Sequence, residues 1–282
     1  MTEVYRGAKR VTFGPGLPTV IIGERINPTG RKKFGEELLQ GNFERVREDA
    51  RRQAEAGADI LDVNVGVGGI DEVAALREAV RIAMEAVDLP LCLDSSNPRA
   101  LAEALSIYDG KAIVNSITAE EGSMKELLPI VAQYKAAVIA LAHDEKGIPK
   151  DAETRVRVAA RILEEAAKEG VAAEDVIVDA LTVSVGAEAT AAKVTLETIR
   201  RLHDELKVAT TIGASNVSFG LPDRRSLNLA FLAMAIQSGV SAPITDPLVP
   251  GLRRLIRASD LLQARDPRGR RYVQDYRQYP EG

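Results

Sequence analysis

The sequence predicts a single (β/α)8 TIM barrel, an α/β fold, with short N-terminal and C-terminal extensions. Short apolar or β-branched runs alternate eight times with longer segments of helical periodicity, and eight parallel strands are the number that closes such a barrel. The length of 282 residues suits this fold, because these barrels use about 250 residues in one domain. A doubly wound open sheet would give the same alternation, but no glycine-rich dinucleotide turn follows the first strand.

The predicted strands are near-continuous apolar runs, as expected of parallel strands that are buried on both faces. In chain order they are Val20–Arg25, Ile60–Gly66, Leu91–Ser96, Ala112–Thr118, Ala137–His143, Val176–Ala180, Ala209–Ser215 and Ser241–Asp246. The helical segments between them include Phe43–Ala56, Glu72–Ala86, Glu153–Lys168, Ala191–Leu206 and Leu227–Gln237.

Local signals mark where some helices begin and end. Asn97 followed by Pro98 predicts a helix start, because asparagine caps the first N–H groups and proline fits the first helical position. Gly57 and Gly170 stand where helices should stop, since glycine readily takes the left-handed conformation that follows a helix. These signals agree with the alternation of strands and helices.

Two segments lie outside the barrel pattern. We therefore divide the chain into an N-terminal extension (residues 1–19), a barrel domain (residues 20–262) and a polar C-terminal tail (residues 263–282). The segment Met1–Pro18 is rich in glycine and proline, and we expect it either to cap the barrel floor or to be partly ordered. The tail is locally basic, which predicts a solvated extension or an oligomer contact.

Composition excludes several classes of protein. Hydrophobic residues make up 45% and charged residues 28% of the chain, as in a globular protein with a full core. A net charge of −4 argues against a nucleic-acid partner. One cysteine and two histidines exclude a disulfide framework and leave little for a metal site, so we expect no bound metal. The sequence has neither a leader peptide nor a bilayer-spanning run, so we expect a cytoplasmic protein and no membrane partner.

Polar residues gather where the predicted strands end, which is where barrel enzymes place their active sites. An isolated Asp or Asn in such a position usually forms a turn or caps a helix. Asp62, Asp94 and Asn115, however, lie inside apolar runs, so their side chains should project into the barrel mouth. Burial without a partner would cost about 1–3 kcal/mol for each of them. They must therefore bind each other or a ligand.

The chemistry of this set suits a flat, nitrogen-rich heterocycle. A carboxylate can accept two parallel N–H bonds from an amino-amide edge, as it does from guanidinium. Asparagine offers one donor group and one acceptor and can contact an adjoining ring nitrogen and carbonyl. A pterin presents this pattern of edges. A Ser-His-Asp triad is unsupported, because neither histidine lies near a G-x-S-x-G elbow.

Six motifs, taken in order along the chain, resemble the pterin-binding family. They are GERINPTG (Gly23–Gly30), DVNVG (Asp62–Gly66), CLDSSN (Cys92–Asn97), NSIT (Asn115–Thr118), GIPKD (Gly147–Asp151) and GASNVSFG (Gly213–Gly220). Within that family they are most similar to the methyltetrahydrofolate:corrinoid protein methyltransferases, which include the folate module of cobalamin-dependent methionine synthase. The resemblance runs from about Val20 to Leu262, so residues 20–262 are expected to be a pterin-binding barrel.

The resemblance implies a barrel that binds 5-methyltetrahydrofolate in its mouth and transfers the methyl group to the cobalamin, in the Co(I) state, of a separate corrinoid protein. It also implies a homodimer. The residues that match the family's folate contacts are Asp94, Asn115 and Asp179 at the pterin edge, Asn216 near N5, Glu24, Asn27, Asp62 and Asn64 in the surrounding polar cluster, and Arg224 or Arg225 after the seventh strand. The sequence departs from the family at His143 and lacks a proline after Asp179.

Methyl transfer from N5 needs proton density at that nitrogen, because a tertiary amine is a poor leaving group. A carboxamide does not titrate, so Asn216 would orient a protonated N5 or a water molecule. The proton would arrive from solvent through a network that includes Asp94 and Asn216, which makes these two the expected catalytic residues.

Two alternatives remain open from the sequence. Dihydropteroate synthase shares the fold and the pterin pocket, but it needs a basic cradle for pyrophosphate after strands 7 and 8. Here those strands lead to SNVSFG and TDP, which contain no basic residue. A folate-binding subunit without catalysis is the second alternative. The chain has no Asp-x-His-x-x-Gly cobalamin signature and no zinc-thiolate homocysteine site, so we expect the methyl acceptor to be carried by another polypeptide.

Overall fold

The computed structural model describes residues 1–279 and has eleven strands within them. In chain order these are β1 (Thr2–Arg6), β2 (Lys9–Phe13), β3 (Ile22–Ile26), β4 (Ile60–Val63), β5 (Leu91–Asp94), β6 (Gly110–Lys111), β7 (Ile113–Thr118), β8 (Ala137–Leu141), β9 (Val176–Asp179), β10 (Ala209–Thr211) and β11 (Ile244–Thr245). Eight of them form one parallel sheet in the order β10-β9-β8-β7-β5-β4-β3-β11. All eight predicted strands are present in this sheet.

The two ends of the sheet meet and close the barrel. Ile244 N donates to Ile212 O at 2.9 Å, and a parallel bridge joins Gly213 to Ile244. Ser241 N and Ala242 N both donate to Thr210 O just before this point. The predicted TIM barrel is therefore confirmed.

Ten α-helices connect and surround the strands in the described residues. They are α1 (Lys32–Leu39), α2 (Glu44–Glu55), α3 (Glu72–Ala86), α4 (Pro98–Ser106), α5 (Glu121–Tyr134), α6 (Ala152–Lys168), α7 (Ala191–Arg201), α8 (Arg224–Ser238), α9 (Leu252–Leu262) and α10 (Arg270–Gln278). The predicted start of α4 is confirmed, since Asn97 Oδ1 accepts from Arg99 N at 3.0 Å. Gly57 and Gly170 have φ of +93° and +81°, as predicted for residues that follow α2 and α6.

The N-terminal segment closes the floor of the barrel. Strands β1 and β2 form an antiparallel hairpin, and β1 also pairs with β6. Val4, Val11 and Phe13 are buried in one cluster with residues near the amino-terminal ends of the barrel strands. Gly110 must be glycine at the junction, because its φ is +149° and an added Cβ would lie 2.1 Å from Tyr5 O. Of the two expectations for this segment, capping of the floor is the one that the structure shows.

The C-terminal segment is folded against the barrel rather than solvated. Arg265 is half-buried and donates to Ile236 O at 3.0 Å and to Val240 O at 3.2 Å. Asp266 is buried and accepts from Arg271 N and Tyr272 N at the start of α10. The segment orders because its charges find buried partners, which a count of polar residues does not reveal. Residues 280–282 of the predicted tail lie outside the described residues. No helix within residues 1–279 has the length and apolar character needed to cross a bilayer.

Candidate active site

Two amide–carboxylate pairs lie side by side at the carboxyl ends of β4, β5 and β7. Asn115 Nδ2 donates to Asp62 Oδ1 at 3.1 Å, and Asn64 Nδ2 donates to Asp94 Oδ2 at 2.9 Å. The register of the sheet explains this meeting, because Asp94 stands opposite Asn115 and Cys92 stands opposite Asp62. The structure thus brings together four of the residues that the sequence assigns to the pterin pocket.

The two carboxyl groups of this cluster share an environment that disfavours their charged forms. Asp62 is 3% exposed, and burial raises its pKa well above the usual range, assisted by the neighbouring Asp94 carboxylate. Hydrogen bonds from Asn115 and the Cys92 thiol act in the opposite direction. Burial also raises the pKa of Asp94, while the bond from Asn64 lowers it. A ligand that donates N–H groups to this pair would favour ionisation and would in turn be held firmly.

Asp179 occupies the end of β9, on the far side of this cluster along the sheet. Its Oδ1 accepts from Leu181 N at 2.7 Å, and the structure shows no donor for Oδ2 among residues 1–279. Burial raises the pKa of Asp179 to about 6, against the lowering effects of the Leu181 bond and the Arg155 guanidinium. Arg155 donates to Ala180 O and Leu181 O at 2.7 Å each, which fixes the loop. This loop is therefore held by an arginine, although it lacks the proline expected from the resemblance.

Glu24 lies at the end of β3, where the barrel closes. Ser215 Oγ donates to Glu24 Oε1 at 2.6 Å. Burial and the nearby Asp246 carboxylate raise the pKa of Glu24 to about 7, whereas the Ser215 bond and the guanidinium groups of Arg25 and Arg224 lower it. Arg25 Nη1 in turn lies 3.4 Å from Asp246 Oδ2.

Asn216 lies on a short 3-10 helix (Ala214–Ser218) that follows β10. It is exposed, and its carboxamide has no hydrogen-bond partner among residues 1–279. Gly213 allows this position, because an added Cβ there would lie 2.8 Å from Asn216 Nδ2. The Asn216 side chain is therefore available to a ligand at the mouth.

Arg224 supports the same turn from the start of α8. Its Nη2 donates to Ser215 O at 2.7 Å and its Nε to Ser218 Oγ at 3.1 Å. Arg225 donates instead to Pro250 O in the loop after β11. Of the two arginines that the resemblance offered, Arg224 is the one that contacts the turn bearing Asn216.

Asn27, which was predicted to be a site residue, and His143, where the sequence departs from the family, stand apart from these groups. Asn27 Oδ1 accepts from Thr29 N at 2.9 Å, which is the turn-forming role of an isolated asparagine, and no hydrogen bond joins its side chain to the other site residues within residues 1–279. Within residues 1–279, the one hydrogen bond of the His143 ring joins Nδ1 to the backbone oxygen of Asp144 at 3.5 Å.

Sequence reasoning missed the parts that Ser215 and Asp246 play around Glu24. Both residues end predicted strands, and Ser215 directly precedes Asn216 in the GASNVSFG motif. Position at a strand end was the available signal, but it did not identify Glu24 as their common neighbour.

Comparison with known proteins agrees with this geometry. A family profile described as "Pterin binding enzyme" matches residues 23–246. The chain is 31% identical over 267 residues to the methylcorrinoid:tetrahydrofolate methyltransferase of Eubacterium limosum, a match covering 92% of this chain and 96% of that protein. It is 30% identical over 247 residues to the methionine synthase of Mycobacterium tuberculosis, covering 83% of this chain and 21% of the synthase. The resemblance predicted from the six motifs is confirmed.

Solved structures with the same fold include dihydropteroate synthases. The enzyme from Yersinia pestis gives a TM-score of 0.72 at 16% identity, covering 94% of this chain and 99% of that one. The enzyme from Xanthomonas albilineans gives 0.70 at 19% identity with the same coverage. Identities this low show a shared fold and no more. The barrel, the polar mouth and the match over residues 23–246 together show that this chain belongs to the family of pterin-binding enzymes.

Proposed function

We propose that this protein transfers the N5-methyl group of 5-methyltetrahydrofolate to the Co(I) corrinoid of a separate corrinoid protein, or catalyses the reverse transfer. The observation that carries the proposal is the hydrogen-bonded cluster of buried Asp62 with half-buried Asn64, Asp94 and Asn115, together with buried Asp179. Their carboxylates and carboxamides complement a pterin edge. The relative that matches over nearly the whole chain is named as a methylcorrinoid:tetrahydrofolate methyltransferase, which supports methyl transfer as the reaction.

In this proposal the residues have distinct tasks. Asp94, Asn115 and Asp179 hold the amino-pyrimidine edge of the pterin, and Glu24, Asn27, Asp62, Asn64 and Arg224 complete the pocket. Asn216 contacts the substrate near N5 and orients the proton there. Asn216 and Asp94 are the proposed catalytic residues, because a hydrogen bond that strengthens as charge develops at N5 lowers the barrier.

The site suits methyl transfer better than dihydropteroate synthesis. A synthase must bind pyrophosphate, which requires cationic side chains free to meet the anion. Arg224 instead binds Ser215 O and Ser218 Oγ, and Arg25 lies beside Asp246. The arginines near these loops are therefore already engaged with the protein's own oxygens.

The corrinoid acceptor would approach the barrel mouth from outside, carried by its own protein. The proposed enzyme is a homodimer that binds folate in the mouth and alternately admits the corrinoid. It needs no bound metal of its own, because the cobalt enters as part of the second substrate.

Transfer of an isotopically labelled methyl group from 5-methyltetrahydrofolate to free cob(I)alamin tests the proposal. The wild-type protein should form labelled methylcobalamin, and Asn216→Ala should lose transfer rate far more than folate affinity. Equal losses in rate and affinity would exclude the N5 role of Asn216. Release of pyrophosphate from a pterin pyrophosphate would indicate a dihydropteroate synthase. Tight folate binding without any transfer would indicate a binding subunit.

A further inference from the structure

A half-buried carboxyl group, that of Glu24, is connected directly to the turn that presents Asn216. Glu24 on β3 and Ser215 on the turn after β10 are 191 positions apart in sequence and joined by a hydrogen bond of 2.6 Å. Among residues 1–279, no other hydrogen bond links the turn Ala214–Ser218 to a carboxyl group. Asp62 and Asp94 are hydrogen-bonded to Asn115 and Asn64 instead.

We propose that Glu24 stores the proton used in methyl transfer and that Ser215 Oγ relays it between Glu24 and N5 of the folate. This inference rests on the function proposed above, because the position of N5 follows from the assignment of Asn216. It adds a proton source to the site, which a carboxamide cannot provide. Ser215 is the group that touches substrate, and Glu24 acts through it.

The relay moves one proton in each direction of methyl transfer. Toward the corrinoid, Glu24 starts as the carboxylic acid, so the Ser215 hydroxyl, which donates to Glu24 Oε1 when Glu24 is a carboxylate, turns its proton toward N5 and accepts from Glu24. The Glu24 carboxylic acid then gives its proton to Ser215 Oγ while the Ser215 hydroxyl gives its own proton to N5. The bond from N5 to the methyl carbon then breaks and its electron pair stays on N5. The methyl carbon bonds to cobalt with the electron pair of Co(I), which becomes Co(III), and Glu24 is left as a carboxylate that solvent reprotonates. In reverse, the N5 lone pair takes the methyl group and the N5 proton returns through Ser215 to the Glu24 carboxylate.

The surroundings of Glu24 suit a proton store. The charged groups that face it are Asp246 after β11, Asp62 on β4, Arg25 on its own strand and Arg224 at the start of α8. Burial and Asp246 raise the pKa of Glu24 to about 7 despite the two arginines. A group with a pKa near the working pH is present in both forms, so it can give a proton in one direction and accept one in the other.

Opposite pH dependences of the two directions test the relay. The forward rate is followed by the loss of Co(I) absorbance when 5-methyltetrahydrofolate meets free cob(I)alamin, and the reverse rate by formation of Co(I) from methylcobalamin and tetrahydrofolate. The forward reaction needs protonated Glu24, so its rate should fall as pH rises through about 7. The reverse reaction needs the carboxylate, so its rate should rise over the same interval.

Variants of the two residues separate a relay from a structural contact. Glu24→Gln keeps the size and the acceptor for Ser215 but holds no transferable proton, so both rates should fall about 100-fold or more and lose the inflection near neutral pH. Ser215→Ala should also reduce both rates, and Ser215→Thr, which retains a hydroxyl, should recover much of the loss. Glu145→Gln removes an exposed carboxylate from the loop after β8 and is the matched control, with wild-type rates and pH profile.

The outcomes distinguish this inference from the proposed function. Wild-type rates and profile in Glu24→Gln would overturn the relay while methyl transfer stood, and so would a slower variant with an unchanged profile. Should Glu24→Gln not fold, equal rates in Ser215→Ala and Ser215→Thr would overturn it. Failure of the wild-type protein to transfer methyl in either direction would remove the proposed function and the relay together.

Discussion

Replacement of Asp179 by Asn should stabilise the protein, because folding buries a carboxyl group whose charged form is more stable in water. The pKa of Asp179 is raised from 3.8 to about 6 by burial, a difference of roughly two pKa units at about 1.4 kcal/mol each. Since the folded pKa lies above the unfolded value, the stability contributed by this group is fully present below about pH 4 and is lost as pH rises through about 6. At neutral pH the folded state therefore carries a penalty on the order of 3 kcal/mol from this group.

The Asp179→Asn variant lacks that penalty, because an amide does not ionise, and it keeps the local structure. Its side-chain oxygen can still accept from Leu181 N, as Asp179 Oδ1 does at 2.7 Å. The gain in unfolding free energy over wild type should be about 1.5 kcal/mol larger at pH 7.5 than at pH 5.0, since most of the ionisation occurs between these values. Urea denaturation of both proteins at both pH values measures this difference, and the titration of all other groups cancels in the comparison.

Glu174→Gln provides the control for this experiment. Its side chain is exposed just before the same strand, so its effect should stay within about 0.5 kcal/mol at either pH. A gain from Asp179→Asn that is equal at the two pH values, or a loss of stability at pH 7.5, would refute the argument that burial of this carboxyl group is costly. The variant should also bind folate more weakly, because an amide presents a donor where the pterin edge needs an acceptor.

Two further substitutions, one of them with a control, test the floor of the barrel and the packing of the C-terminal segment. Gly110→Ala should destabilise the protein by at least about 1–3 kcal/mol, because it places a Cβ against a β1 carbonyl oxygen at a residue with positive φ. Gly122→Ala is the control: it adds a Cβ in open space on α5 and should stabilise the protein by up to about 1 kcal/mol. The denaturation midpoints of the two variants measure the difference. Arg265→Met should cost about 1–3 kcal/mol, because it leaves the backbone oxygens of Ile236 and Val240 without their charged donor. A loss below 1 kcal/mol in thermal unfolding would show that the C-terminal segment is not part of the barrel's stability.

The sequence was sufficient for the barrel because its evidence is local. Runs such as Ala137–His143 and caps such as Asn97 report on their own segments, and eight repeats of that alternation leave few architectures. Asp62, Asp94 and Asn115 could be placed in the mouth for a related reason. A polar residue inside a buried strand must point to the face where a partner is available.

The missed features depend on contacts between distant parts of the chain. The pairing of Glu24 with Ser215 exists because β3 and the turn after β10 become neighbours when the barrel closes, and no pattern within either segment encodes it. The pairing of β1 with β6 has the same character. The C-terminal segment was expected to be a solvated extension or an oligomer contact because it is polar and locally basic. Arg265 instead packs against the carbonyl oxygens of Ile236 and Val240 at the end of α8, and their availability is a property of the folded helix end.

The distribution of costly carboxyl groups identifies the site independently of any relative. Burial raises the pKa of Asp62, Asp94, Asp179 and Glu24, and all four lie at the carboxyl ends of the barrel strands. Burial also raises the pKa of Asp260 on α9, but there Thr19 N and Thr19 Oγ1 already donate to the carboxyl group. The pKa of an exposed carboxyl group such as Glu37 is lowered instead, because Arg45 stabilises its charged form. In a protein selected for stability alone, apolar residues or amides would replace buried acids. Their concentration at one mouth is the pattern expected where a ligand supplies the missing donors, since hydrogen bonds to the ionised form would offset the cost of burial.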